Sequence, residues 1–256
     1  MLPLTLAIIT RDEVARIAHV ISSVGSVAEI LVLDSGSMDG TVERARALGA
    51  RVEVVDWPGY GAQKNRALDR AEQQWVLSLD ADEVLSAELL ESIRELFKGP
   101  MAHNAYAVRR RNHWRGRPVR GGVYAPAWKT RLVRKGRGRW VGGILHETLE
   151  TEGSVGRLVG LLEHTPYRDR EDYRQTAAEY AHLFAKKNLA NGRRAHLWDG
   201  SIRPILHFVK AFLLKAGFLD GKAGWELARL EAGAVGLKWR VLRTAQLCQD
   251  TANPKE

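Results

Sequence analysis

The chain has 256 residues, of which 45% are hydrophobic and 27% charged; this is enough apolar material for a sizeable core and excludes general disorder, collagen-like repeats and low-complexity sequence. A single cysteine, Cys248, excludes an internal disulfide and a multi-cysteine zinc site, and points to a reducing compartment. The net charge of +9 is unevenly placed: residues 1–103 carry 10 basic against 16 acidic side chains, residues 104–140 carry 12 basic and no acidic ones, and residues 193–243 carry 10 basic against 4 acidic. Two basic segments on an acidic scaffold suit a nucleic acid, an anionic lipid or a phosphorylated substrate equally, so sign alone does not choose the partner.

The first apolar run, Leu4 to Ile9, lacks the basic flank and cleavage site of a signal peptide and predicts a strand. A helical pattern follows over Asp12 to Val24, then a second strand from Glu29 to Leu33 that delivers Asp34. After the turn Ser35-Gly36-Ser37-Met38-Asp39-Gly40 a helix begins near Thr41, a third strand covers Arg51 to Val55, and a helix over Ala62 to Ala71 precedes a fourth strand, Trp75 to Leu79, ending at Asp80. Strands alternating with helices predict a mostly parallel sheet, which binds ligands at the carboxyl ends of its strands, where Thr10, Asp34 and Asp80 fall. A helix over Leu89 to Phe97 closes this half.

Beyond Gly99 the pattern is less regular, with strands expected at Ala105 to Arg109, Thr130 to Val133 and Arg157 to Leu162 among Gly- and Arg-rich loops. From Glu171 onward the chain reads as helical: Tyr173, Ala177, Tyr180 and Phe184 share a face, Asn191-Gly192 is a stop, and Pro204 starts a second helix with Ile205, Val209, Phe212, Ala216 and Leu219 on one side. A third helical stretch covers Trp225 to Leu247. Lys210 and Lys215 interrupt the best apolar stretch, Pro204 to Leu219, so the chain is not expected to span a bilayer, which leaves room for it to lie on one.

Two strand-end constellations can carry chemistry. In Asp80-Ala81-Asp82-Glu83 the carboxylates at i and i+2 can gather around a hard divalent cation, though the same acids also suit a helix N-terminus. The loop Asp34 to Thr41 can fold tightly and offer acceptors to a base or ribose, and it lacks both the P-loop lysine and the G-x-G-x-x-G spacing.

These two, with Thr10-Arg11-Asp12-Glu13 and Gly61-Ala62-Gln63-Lys64-Asn65-Arg66 between them, resemble the N-terminal half of family 2 glycosyltransferases with the GT-A fold. The later runs Gly121 to Pro126, Arg131 to Arg134, His146-Glu147 and Phe218 to Gly224 are similar to those of the lipopolysaccharide core glucosyltransferases. The resemblance implies an α/β, Rossmann-like nucleotide-sugar domain over residues 1–168, with a donor half at 1–99 and an acceptor half at 100–168, followed by a helical, basic, membrane-associating appendage at 169–256. It implies an inverting transfer of a hexose, glucose from UDP-glucose, to an inner-core heptose of lipopolysaccharide at the cytoplasmic face of the inner membrane. Polyprenyl phosphate or another envelope glycan is the alternative acceptor.

By the same resemblance, Thr10, Glu13 and Asp34 contact the uridine and Lys64 or Arg66 approaches the diphosphate. Asp80 holds the ribose and the ion, and Asp82 is the principal ligand of Mg2+ or Mn2+, with His164 a further candidate ligand. Asp12 stands where relatives commonly have asparagine, and Ala127 where they often carry an acid. Because Ala127 cannot take the acceptor proton, Glu147 is the expected base and Glu83 the second choice, with His146 available to orient Glu147 or bind the ion. Arg109, Arg110, Arg111, Arg131 and Arg134 are expected to read acceptor anions, and Trp198, Phe208, Phe212 and Trp225 to sit at the membrane interface, unless these aromatics simply pack helix on helix. A nucleic-acid-binding protein is the reading from a different class; it is disfavoured because the basic run lacks an RNA-binding aromatic signature, and no nucleic-acid partner is expected.

Overall fold

Both faces of the first strand, β1 (Leu2–Thr10), are buried, which is why it reads as a continuous apolar run rather than an alternation. The computed structural model describes residues 1–143 and 146–252. After β1 come α1 (Val14–Val24), β2 (Val27–Asp34), α2 (Thr41–Ala47), β3 (Arg51–Val54), α3 (Tyr60–Arg70), β4 (Trp75–Asp80), β5 (Glu83–Leu85), α4 (Ala87–Leu96) and β6 (Ala105–Trp114). They are followed by β7 (Arg117–Pro118), β8 (Ala127–Arg134), β9 (Gly138–Gly143), β10 (His146–Thr151), β11 (Val155–His164), α5 (Arg170–Ala190), α6 (Asp199–Val209) and α7 (Gly221–Ala252). The chain forms two units, one of residues 1–111 and 127–164 and the other of residues 112–126 and 165–256. Residues 112–126, which the sequence reading places in the acceptor half, fall in one unit with the C-terminal helices.

In the first unit eight strands pair in the order β3-β2-β1-β4-β8-β6-β11-β5. The β3-β2-β1-β4 half is parallel, as the strand-helix alternation predicts, whereas β8 pairs antiparallel with β4 and β6, and β11 antiparallel with β5. The register is decisive for function. Thr10 lies beside Asp34 and Ile9 beside Asp80, so three strands end on one edge with their polar residues together. Leu4, Leu6 and Ile8 pack with Ile17 and Val20 of α1 and Leu89 and Ile93 of α4, while Ala7 and Ile9 face Ala67 and Leu68 of α3. Gly160 in β11 has φ +97°, and a Cβ there would lie 2.3 Å from the Leu89 nitrogen, so the approach of α4 requires glycine.

The strands β5, β7, β9 and β10 escape the sequence reading. β5 occupies residues that resemble a helix N-terminus, and the true cap is Ser86, whose side chain accepts from the Leu89 N–H. β9 and β10 form a separate antiparallel ribbon that pairs Trp140 with Leu149.

At the opposite end of β2, Glu29 is buried and accepts hydrogen bonds from the Thr5 hydroxyl (2.5 Å), the Glu72 N–H (2.7 Å) and Arg51 Nε (3.2 Å). Burial raises its pKa, but these hydrogen bonds and the Arg51 charge outweigh it, so the carboxyl titrates below its ordinary 4.5. A depressed native value means the stabilisation is complete above the unfolded pKa and is lost as pH falls through the native one. Glu29→Gln should therefore cost about 1–3 kcal/mol at neutral pH. In urea unfolding the difference from wild type should shrink below pH 4.5; a pH-independent difference would remove the ionised carboxylate from the explanation.

In the second unit α5 is capped by Asp169, which accepts from the Glu171 and Asp172 N–H groups, and buries Tyr173, Ala177, Ala181 and Ala185. Tyr124 and Tyr173 donate to Glu231 of α7 at 2.5 and 2.9 Å, satisfying a carboxylate taken from water. α6 begins at Asp199, so Pro204 lies inside it rather than at its start. A π-helical turn, Lys210–Leu214, follows α6, closed by Lys215 N–H to Lys210 C=O at 2.9 Å. The register change ends the expected stripe through Ala216 and Leu219. Phe212 instead stacks on Phe208 (5.5 Å) and meets Trp225 edge-on (5.3 Å), so the two phenylalanines are half-buried in an aromatic cluster.

Candidate active site

The edge where β1, β2 and β4 end is organised first by backbone hydrogen bonds. The segment after β1 is latched to the loop after β2: the Asp12 N–H donates to Ser37 Oγ (2.8 Å), the Glu13 N–H to Thr41 Oγ1 (2.8 Å), the Val14 N–H to Asp39 (3.0 Å), and the Met38 N–H returns to Asp12 Oδ1 (2.8 Å). Asp12 has φ +55°, a left-handed conformation that aspartate and asparagine both tolerate, and its oxygen does what an asparagine carbonyl can do. Asp34 is fully buried and accepts from the Gly36 and Ser37 N–H groups and the Ser37 hydroxyl, so it shapes the loop from below. Thr10 Oγ1 is buried beside it with no hydrogen-bond partner among the described residues.

A charged cluster sits at the end of β4. Lys64, on α3 and only 2% exposed, places Nζ 2.7 Å from Asp80 and 2.9 Å from Glu147, with the Trp140 ring 4.4 Å away. Asn65 fixes that tryptophan, donating to its carbonyl and accepting from its N–H, both at 2.8 Å. Arg131 is buried on β8 and grips Glu83 through both oxygens (2.8 and 2.6 Å) while reaching Asp80 at 3.3 Å; Arg110 also meets Glu83 at 3.3 Å. Burial raises the pKa of Asp80, yet the charges of Lys64 and Arg131 prevail and hold it well below the usual carboxylate range. Burial pulls Lys64 down, and Asp80 and then Glu147, against Arg131, pull it up to a net rise. Asp80 and Lys64 are therefore both ionised at neutral pH.

On the adjacent pair, His164 at the end of β11 lies opposite Glu83 of β5, and its Nε2 comes within 3.2 Å of Asp82 Oδ2. The β-bridge between two segments eighty residues apart in sequence creates this contact.

The sequence matches the profile of Glycosyl transferase family 2 over residues 5–147. The chain is a family 2 glycosyltransferase. It is 32% identical to an uncharacterized glycosyltransferase of Rickettsia prowazekii (strain Madrid E), over 94% of this chain and 86% of that one. It is 29% identical to the lipopolysaccharide core biosynthesis glycosyltransferase LpsC of Rhizobium meliloti (strain 1021), over 91% and 92%. Among solved structures, glucosyl-3-phosphoglycerate synthase from Mycobacterium tuberculosis is 30% identical over 43% of this chain and 44% of that chain, with a TM-score of 0.34.

In this glycosyltransferase the α/β fold of the GT-A type brings Thr10, Glu13, Asp34, Lys64, Asp80, Asp82, Glu147 and His164 to one edge of the sheet or its adjoining ribbon. Several residues take other roles than the sequence assigns. Glu83 has no exposed surface and is held by two arginines, so it braces the cluster and is not presented to an acceptor. Arg131 is consumed in the same pairing, and Arg111 is paired with Glu163 at 3.0 and 2.5 Å. Arg134 pairs with Trp75 at the start of β4, which places it at the far end of that strand from Asp80, about 17 Å away by strand rise. Arg66 binds Asp56 (3.0 Å) and Gln63 (3.1 Å). Arg109 stays exposed at the site end of β6. The side chain of His146 lies outside the described residues.

Two residues escape the sequence reading. Trp140 is buried against both cations, and its indole N–H has no partner among the described residues. Lys129, across from Val108, is depressed in pKa by burial and by Arg110 and Arg131, as a cation is in an excess of positive charge. Nothing in the local sequence marks Trp140, whereas Lys129 lies within the acid-free segment and could be found by its alternation with Arg131.

As for a metal, the described residues contain no group of three or more His, Cys, Asp or Glu side chains. Asp82 with His164 is nevertheless a two-donor set of oxygen and nitrogen, suited to an ion that takes its remaining ligands from a diphosphate and water. Both oxygens of Asp80 are engaged, one by Lys64 at 2.7 Å and the other by Arg131 at 3.3 Å.

Proposed function

We propose that this glycosyltransferase moves a hexose from a UDP-sugar, with glucose the first donor to test, to an inner-core heptose of lipopolysaccharide at the cytoplasmic face of the inner membrane, with inversion at the anomeric carbon. The observation that carries the reading is the Asp80–Lys64–Glu147 chain beside the Asp82–His164 pair, all at the ligand-binding edge of a family 2 domain. The acceptor follows from the near full-length likeness to a protein named for lipopolysaccharide core biosynthesis.

The chemistry divides among the residues as follows. Thr10 and the latched loop accept the nucleoside. A divalent cation, Mg2+ or Mn2+, held by Asp82 and His164 would supply positive charge to the departing diphosphate. Lys64 stands at the same edge and adds a second fixed charge, while Asp80 keeps it protonated and in place. Glu147 is 17% accessible and is aimed by Lys64, so it takes the proton from the acceptor hydroxyl as that oxygen bonds to the anomeric carbon and the bond to UDP breaks. Lys129 and Arg109 are the cations left to meet phosphate on the acceptor.

The test is transfer from a panel of UDP-sugars to heptose-terminated core, with Mg2+ or Mn2+ and with chelator. Metal-dependent glucose transfer is the expected result, and Glu147→Gln should lower kcat by about 10²–10⁴-fold with little change in donor KM. Transfer to polyprenyl phosphate alone would replace the acceptor and leave the donor reading standing. Wild-type kcat in the Gln variant would take the base role from Glu147.

A further inference from the structure

The second unit turns an apolar helix face outward. Trp198, Ile202, Ile205, Leu206 and Val209 are all exposed and fall within an arc of about 100° on a helix of 3.6 residues per turn. Ile205 and Leu206 keep 64% and 62% of their surface, and Leu214, the last residue of the π-turn, keeps 79%. The opposite side of α6 is the one that packs: Gly200 lies against Arg240, and Pro204 against Gly236, where an added Cβ would meet its ring at 3.0 Å. The face is therefore unpartnered by construction, with its apolar residues on the side away from α7.

Charge tells what covers it. Residues 193–219 contain Arg193, Arg194, Arg203, Lys210 and Lys215, and their one carboxylate, Asp199, is 3% exposed and accepts from Arg203 at 2.6 Å. Lys210 and Lys215 are exposed and form no ion pair among the described residues. An apolar stripe bordered by unneutralised lysines fits a surface that is apolar below and anionic above. In a two-fold contact between copies these lysines would face their own counterparts, which disfavours self-association. No helix among the described residues is long and apolar enough to cross a membrane.

We propose that the face from Trp198 to Leu214 docks on a bilayer containing anionic lipid, its apolar stripe at the acyl boundary and Lys210 and Lys215 among the headgroups. This deepens, and for its purpose rests on, the reading of a membrane-held acceptor. Binding is measured on the full chain with no sugar nucleotide present, by co-sedimentation with phosphatidylcholine vesicles with or without phosphatidylglycerol. Wild type should bind the anionic vesicles at least about tenfold more tightly than the neutral ones, and added salt should weaken that binding. Ile205→Glu with Leu206→Glu should lose tenfold or more in vesicle binding with an unchanged thermal melt, since both side chains are exposed. Lys210→Glu with Lys215→Glu should lose the preference for anionic lipid.

Equal binding of wild type to both vesicles, or full binding by the Ile205/Leu206 variant, overturns the proposal. So does a wild-type dimer that this variant disperses, found without vesicle binding. Transfer to a detergent-dispersed acceptor, measured alongside, separates the two readings: vesicle binding without any transfer leaves this surface standing and removes the acceptor, while transfer without vesicle binding does the reverse.

Discussion

Asp82→Ala is expected to reduce sugar transfer by a factor of about 10³ or more while the chain keeps its fold. Asp82 is the member of the strand-end triplet that neither lysine nor arginine holds; its neighbour is His164 at 3.2 Å. A fixed charge placed where a leaving diphosphate becomes more negative contributes in the transition state, so its loss falls on kcat. The side chain is 19% exposed and its tie to another element is the contact with His164, so thermal unfolding should move by less than about 1 kcal/mol. Steady-state kinetics across a Mn2+ titration check it: in the variant, excess metal should fail to restore the wild-type rate. Full activity in Asp82→Ala would end the proposed metal role.

Arg131→Met should act on stability first. Its guanidinium joins the fully buried Glu83 through two hydrogen bonds and reaches Asp80, so the substitution leaves one buried carboxylate with the 3.3 Å contact to Arg110 and the Asp80 N–H at 3.2 Å, and weakens the hold on another. Removing one partner of such a pair costs about 3–5 kcal/mol, whereas replacing both by apolar groups is often nearly neutral. Urea unfolding of Arg131→Met, Glu83→Met and the double variant measures this, and the double variant should recover most of the loss. If Arg131 read acceptor anions, as its place in the basic segment suggests, the single variant would raise acceptor KM and leave the unfolding midpoint where it was. The two outcomes exclude each other cleanly because Arg131 is buried.

The contrast between these two residues shows how far charge patterning carries. The acid-free run from Asn104 to Trp140 reads as one basic surface, but six of its arginines are paired: Arg131 and Arg110 on Glu83, Arg111 on Glu163, Arg115 on Glu226, Arg137 on Glu152 and Arg139 on Asp69. Their acids lie in other segments, so local net charge overstates what remains for an external anion. Aromatic patterning misleads in the same way. Phe208 and Phe212 look interfacial in the sequence, yet they stack on each other and both meet Trp225 edge-on.

What the sequence alone determined about this protein is its local and periodic content: the alternating strands and helices of the first half, the polar residues at three strand ends, the loop that lacks a P-loop lysine, and the motif order that identifies a family 2 glycosyltransferase. These are set by hydrophobic periodicity and by side chains within a few residues of one another. Only the tertiary structure decided who pairs with whom. Lys64 meets Glu147 across 83 positions and Arg131 meets Glu83 across 48. His164 reaches Asp82 because β11 pairs with β5, a strand of three residues too short to announce itself, and Arg134 is carried away from Asp80 by the antiparallel register of β8. Buried ions choose partners by strand register and by the cost of leaving a charge unpaired, and neither is a property of the segment in which the residue is written.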